Sequence, residues 1–160
     1  RGMDKEGFSG RDGRSTIFDY WSMASVNHGY FDIRKKTPSE RKLMDAYKRV
    51  MLIAEKEKAA SRGLTFDLMY VNGHLAQSQY AFLRKKDDEL LLGVVNFAAE
   101  AIDTGIIIPS HAFEYMGIAE GDADAVDLLS DGKAKLHLAV NEAVNVAVPA
   151  HGGVVYKIKQ

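Results

Sequence analysis

The period of the hydrophobic pattern changes at Gly63, and that change constrains the fold more than any other feature of the chain. Before it, Leu43, Tyr47, Val50 and Ala54 recur at spacings of three and four, with Ala46, Met51 and Ile53 widening the stripe and Lys42, Lys48, Arg49, Glu55, Lys56 and Glu57 on the other side. That is the apolar face of an amphipathic helix. Thr37-Pro38-Ser39-Glu40 supplies its start: a capping threonine, a proline at the first helical position and a glutamate that reaches back to the cap. The pattern predicts one helix over residues 37–62, closed by Gly63 as a left-handed cap. A face so broad needs a partner surface; without one, the helix is expected to be exposed or to dimerise.

After Gly63 the period is two. Runs at 66–71, 79–84, 90–97, 102–108, 125–129, 135–140, 143–148 and 154–159 are short and rich in β-branched and aromatic residues. Asn72-Gly73, Asp87-Asp88, Pro109, Asp131-Gly132, Asn141-Glu142 and Gly152-Gly153 punctuate them. Leu90 to Val95 is apolar on both faces, as a central strand must be. Lys135, His137 and Ala139 alternate with Leu136, Leu138 and Val140, the pattern of a strand with one wet face. The expected fold class is mainly β: an antiparallel β-sandwich of about eight strands, Greek-key in type, preceded by one long α-helix and an irregular N-terminal loop. Residues 1–36, rich in Gly, Ser, Asp and Arg, are expected to be that loop, and a structureless stretch of this length is usually functional or belongs to a larger body.

Composition narrows the function. With 160 residues, 46% of them hydrophobic, a core forms without staples. Lys plus Arg number 21 against 22 Asp plus Glu, so no net positive field gathers nucleic acid or an anionic membrane, and neither is expected as a partner. No apolar run approaches the length of a spanning helix, and there is no Cys for disulfides, thiolate chemistry or Cys-ligated zinc. The chain opens on Arg1, which leads us to expect a piece of a longer protein.

Few residues announce chemistry. Gly10-Arg11-Asp12-Gly13-Arg14-Ser15-Thr16 misses the spacing of a phosphate loop, and no strand precedes it. His28, His74, His111, His137 and His151 have no metal-ligand spacing, and no Gly-x-Ser-x-Gly elbow singles out a serine, so neither metal nor cofactor is expected. Phe18, Tyr20, Trp21, Tyr30 and Phe31 have faces suited either to a sugar ring or to packing. Tyr80 and Phe82, two apart on a predicted strand, are expected in the core, as are Tyr115 and Tyr156.

The run Asp12-Gly13-Arg14-Ser15-Thr16-Ile17-Phe18-Asp19-Tyr20-Trp21, a capped helix ending in Arg62-Gly63, then Phe66-Asp67-Leu68-Met69-Tyr70, Tyr80-Ala81-Phe82-Leu83-Arg84 and Gly153-Val154-Val155-Tyr156-Lys157-Ile158 resemble the C-terminal end of alpha-amylase superfamily glycoside hydrolases. The likeness runs nearly the whole chain. It implies that residues 1–63 are the remnant of the last βα unit of a (β/α)8 barrel, loop 1–36 and helix 37–62, and that residues 64–160 are the C-terminal all-β domain. That domain would cover and stabilise the barrel, its partner in the same polypeptide, without catalysing alone. Retaining hydrolysis needs a nucleophile and a general acid roughly 5 to 5.5 Å apart, and the resemblance puts these upstream. Asp12, Asp19 and Asp32 match no catalytic motif of the family, so no catalytic residue is expected. The loop lies where the resemblance puts the C-terminal face of the barrel, the face on which active sites are built. Arg11, Arg14, Tyr20 and Trp21 are then candidates for an outer sugar subsite in the complete enzyme, Trp21 and Phe18 serving equally as loop anchors. An alpha-glucan such as starch or glycogen is the implied substrate, hydrolysed or transferred. Two rivals stay open: a carbohydrate-binding module, marked by a row of exposed aromatics, and a structural domain without a ligand.

Overall fold

A computed structural model describes residues 37–160. The chain divides into two compact units, Arg1–Val50 and Met51–Gln160. Helix α1, Pro38–Lys56, runs across that division. The capping box forms as expected: the Thr37 amide donates to Glu40 Oε2 at 2.9 Å and the Glu40 amide to Thr37 Oγ1 at 3.2 Å. No residue of α1 is buried, and Leu43, Tyr47, Val50 and Met51 of its apolar stripe are exposed.

The helix predicted over 37–62 is two helices. At Glu57 the backbone turns extended (φ −88°, ψ 119°), and a short helix α2, Lys58–Arg62, follows. Tertiary contacts cause the break, overriding local propensity. Glu89 Oε1 accepts the Ala59 amide at 2.8 Å, capping α2 from the sheet, while Arg84 donates to the carbonyls of Ala59 at 2.8 Å and Gly63 at 3.0 Å. Both orphaned ends of a short helix are thus satisfied from outside it. Gly63 is not a left-handed cap, since its φ is −74°. It is glycine for room: a Cβ there would lie 2.4 Å from the Ala59 carbonyl oxygen and 2.9 Å from that of Lys85.

Eight strands follow: β1 Leu64–Asp67, β2 Gln79–Lys86, β3 Glu89–Asn96, β4 Ile102–Ile107, β5 Gly121–Asp127, β6 Lys133–Leu138, β7 Ala143–Val148 and β8 Gly152–Lys159. All pair antiparallel, in a six-stranded sheet of order β1-β2-β3-β8-β5-β6 and a two-stranded sheet β4-β7. The chain leaves the large sheet after β3 for β4, returns as β5 and β6, leaves again for β7 and comes back as β8 between β3 and β5, the sheet-switching connections of a Greek-key sandwich. β3 is central, as its two apolar faces require, and seven of its eight residues are buried. Leu83, Leu90, Leu92, Val94, Ile158 and Leu138 of the large sheet meet Ile106, Val144, Val146 and Val148 of the small one in a single core. On β6, Leu136 and Leu138 are buried while Lys135 and His137 face out.

Turn chemistry is legible at two hairpin corners, Asp87 (φ 54°) and Asp131 (φ 62°), and at the crossing from β6 to β7, Asn141 (φ 61°), all in the left-handed conformation that Asp and Asn tolerate best among non-glycine residues. Three elements depart from expectation. The first strand stops at Asp67, whose Oδ1 accepts the Met69 amide at 2.7 Å and starts a turn. A helix, α3, Ser110–Met116, joins β4 to β5, buries Ala112, Phe113 and Met116, and ends at left-handed Gly117. β5 begins at Gly121, four residues before the apolar run that announced it, because its ladder with β6 tolerates Gly and Asp on an exposed flank.

Candidate functional site

Arg11, Arg14, Tyr20 and Trp21, proposed from the sequence as sugar-binding residues, lie outside the described residues, as do Asp12, Asp19, Asp32 and His28. What the unit Met51–Gln160 offers is three surface features built on rigid elements.

The first is an ionic cluster at one end of the large sheet's outer face. Parity puts Arg84, Leu91 and Lys157 in one cross-strand row and Glu89 in the next. Lys157 Nζ donates to Glu57 Oε2 and lies 3.3 Å from Glu89 Oε2. The hydrogen bond to Glu57 raises the Lys157 pKa, against the desolvation that lowers it. Glu89, 7% exposed, also caps α2, so the cluster is an anchor for that helix. An acid/base pair would need carboxylates free to exchange protons with a substrate, and both of these are engaged by one ammonium. The shallow depression beside them, about 420 Å³, is lined by Lys58, Lys157 and Lys159 against Asp88, Glu89 and Asp124. Its charges balance, so it does not select an ion by field.

The second is the remainder of that outer face. Tyr80 and Phe82, expected in the core, lie here: core parity on β2 falls to Ala81 and Leu83. Phe82 pairs with Gly93, and a Cβ on Gly93 would come within 2.4 Å of its ring, so the end of the ring occupies the space glycine leaves. Tyr80 packs beside it with centroids 5.8 Å apart and stays 39% exposed.

The third is an aromatic cluster at the edge of the sandwich. Phe66 on β1, half-buried against the core, touches His111 (centroids 5.2 Å), Tyr70 and Tyr115 (6.3 Å each), and Tyr70 touches His111 at 5.5 Å. The rings are tilted by 40° to 56°. The Tyr70 hydroxyl hydrogen-bonds His111 Nε2, and desolvation raises the Tyr70 pKa. Tyr70 and Tyr115 are nevertheless 59% and 61% exposed, which corrects the expectation that Tyr115 is core. Sequence reasoning passed over this cluster because Phe66 and His111 stand far apart in the chain; the i, i+4 spacing of Phe66 with Tyr70 and of His111 with Tyr115 was its only local signal.

The other described histidines stay apart: His74 meets Thr104 Oγ1 at 3.2 Å, His137 meets Asp122 at 2.6 Å and His151 meets the Phe97 carbonyl at 3.1 Å. Among the described residues, no group of three His, Asp or Glu converges as metal ligands do.

No protein-family model matches the chain, and no curated protein matches its sequence. Solved structures share its fold. An alpha-amylase from Geobacillus thermoleovorans, complexed with acarbose, superposes with a TM-score of 0.58 at 14% identity, over 81% of this chain and 25% of its own. A noncanonic maltogenic alpha-amylase, AmyB, from Thermotoga neapolitana gives 0.56 at 13% identity, over 78% and 28%. AmyP in complex with maltose gives 0.56 at 16% identity, over 76% and 21%. The chain therefore spans between a fifth and three tenths of the length of these proteins, and what it has in common with alpha-amylase structures is the fold of one part of them.

Proposed function

We infer that the chain is part of an alpha-glucan-active glycoside hydrolase, with residues 64–160 as its C-terminal, non-catalytic all-β domain and residues 1–63 as the last loop and helix of a (β/α)8 catalytic barrel. The observation that carries this is the fold match: a sandwich with a single core that alpha-amylase structures reproduce over about four fifths of this chain and a quarter of theirs. The sequence resemblance supports the same order of loop, helix and sandwich. The acarbose and maltose complexes of two of the similar structures support an α-linked glucan as the substrate of the whole enzyme. In this reading Arg11, Arg14, Tyr20 and Trp21 line an outer sugar subsite, and the barrel contributes the carboxylates that break or transfer the glucosidic bond. The sandwich acts through stability. Its outer face at exposed Tyr80 and half-buried Phe82, and the exposed stripe of α1, are apolar surface that an adjoining barrel would remove from water.

The test is thermal. Deleting residues 64–160 from the complete polypeptide lowers the melting temperature of the barrel and the half-life of its activity on maltooligosaccharides. A truncated enzyme that melts and turns over as the complete one does would overturn the stabilising role.

A further inference from the structure

Tyr70, His111 and Tyr115 are exposed and yet held. Tyr70 sits in a turn fixed at both ends, by Asp67 accepting the Met69 amide at 2.7 Å and by buried Asn72 donating to the Leu68 carbonyl at 2.8 Å. His111 and Tyr115 stand one turn apart on α3, which is fixed by buried Ala112, Phe113 and Met116. All three rings rest on Phe66, itself packed on the core. The rings are tilted against one another by 40° to 56°, a cluster of inclined rings in place of a parallel stack. Around them stand two phenol hydroxyls, an imidazole and the exposed Asp67 carboxylate.

We propose that Phe66, Tyr70, His111 and Tyr115 form a glycan-binding site on the sandwich surface, taking two or three residues of an α-linked glucan chain. A pyranose has a C–H-rich face that packs on an aromatic ring and a rim of hydroxyls that needs donors and acceptors, and this cluster presents both. A protein partner would favour a larger, drier patch. Because the rings are already ordered, binding loses little side-chain entropy, which favours capture of a flexible chain. The choice of an α-linked glucan rests on the proposed function; the site itself rests on the cluster alone.

The experiment is an NMR titration of the intact chain with maltoheptaose and, separately, with cellohexaose. Maltoheptaose is expected to shift the ring protons of Tyr70, His111 and Tyr115 saturably. Tyr70→Ala and Tyr115→Ala should each weaken binding roughly three- to tenfold, the range of one aromatic contact, with the cooperative melt retained. Tyr80→Ala, on another face, should leave affinity as it was. If no sugar moves these rings, or if binding survives the Tyr70→Ala/Tyr115→Ala double variant, the site is overturned while the domain assignment, which stands on the fold, is untouched. Binding of cellohexaose in preference to maltoheptaose would overturn the α-linked choice and count against the proposed function.

Discussion

Replacing Asn72 should cost this domain more stability than any surface change, although the residue sits in a turn. Its side chain is wholly buried and fully used: Nδ2 donates to the carbonyls of Leu68 at 2.8 Å and Ile107 at 2.9 Å, and Oδ1 accepts the Ile107 amide at 2.8 Å. It ties the turn after β1 to the end of β4, joining the two sheets. Asn72→Ala strips partners from three main-chain groups. Each buried unsatisfied group costs about 1–3 kcal/mol, and the Leu68 carbonyl keeps a second donor in the Asn72 amide at 3.2 Å. The expected loss is therefore about 3–5 kcal/mol, a large part of the roughly 5–15 kcal/mol of a typical domain, or a melting temperature lower by about 10–20 °C. Asn72→Asp is expected to be worse at neutral pH, because a carboxylate would face two carbonyl oxygens. A protonated carboxyl restores one donor, so the folded-state pKa of that Asp lies above its unfolded value. Stability is then fullest below the unfolded pKa of about 3.9 and lost as pH rises. Urea denaturation followed by circular dichroism, at neutral and acid pH, measures both effects. An Asn72→Ala variant within about 1 kcal/mol of the parent would refute the reasoning.

Other outcomes follow from the same geometry. Val94→Asp puts a charge in the middle of the core strand and should abolish the cooperative melt; a melt near the parent temperature would show that β3 is not central. Gly93→Ala should destabilise by about 1–2 kcal/mol through collision with Phe82, and the cost should vanish in a Phe82→Ala background; equal costs in both backgrounds would contradict the close approach. The hydrogen bond to Asp122 raises the pKa of His137, so its imidazole should titrate above the ordinary histidine value, and Asp122→Asn should bring it down. The sign follows: this contact helps the folded state below the unfolded histidine pKa and is lost as pH rises through the folded one, which an NMR titration reads directly.

Much of the fold was legible because its signals are local. The capping box at Thr37 and Glu40, the doubly apolar run from Leu90 to Val95 and the Asp and Asn turns between strands each act within a few residues. What escaped depends on distant parts of the chain. The break at Glu57 exists because Glu89 and Lys157 wait on the sheet, and no pattern in 37–62 encodes it. Tyr80 and Phe82 share a face by parity, yet which face is core was decided by Ala81 and Leu83 opposite Val94 and Leu92. α3 is seven residues long, too short for a helical period to declare itself. Of the candidate sites, the loop residues Arg11, Arg14, Tyr20 and Trp21 came from the resemblance alone, whereas the Phe66 cluster is assembled by the turn after β1 meeting α3.

If the chain is, as we infer, the non-catalytic part of an alpha-glucan enzyme, release of reducing sugar is the reading that decides it. The purified chain, incubated with starch, maltoheptaose or pullulan, should release none, while the complete polypeptide that carries it should hydrolyse or transfer α-glucosidic bonds. Activity of the chain itself that disappears on changing Asp12, Asp19 or Asp32, or a complete polypeptide inert on every α-glucan, would contradict the account.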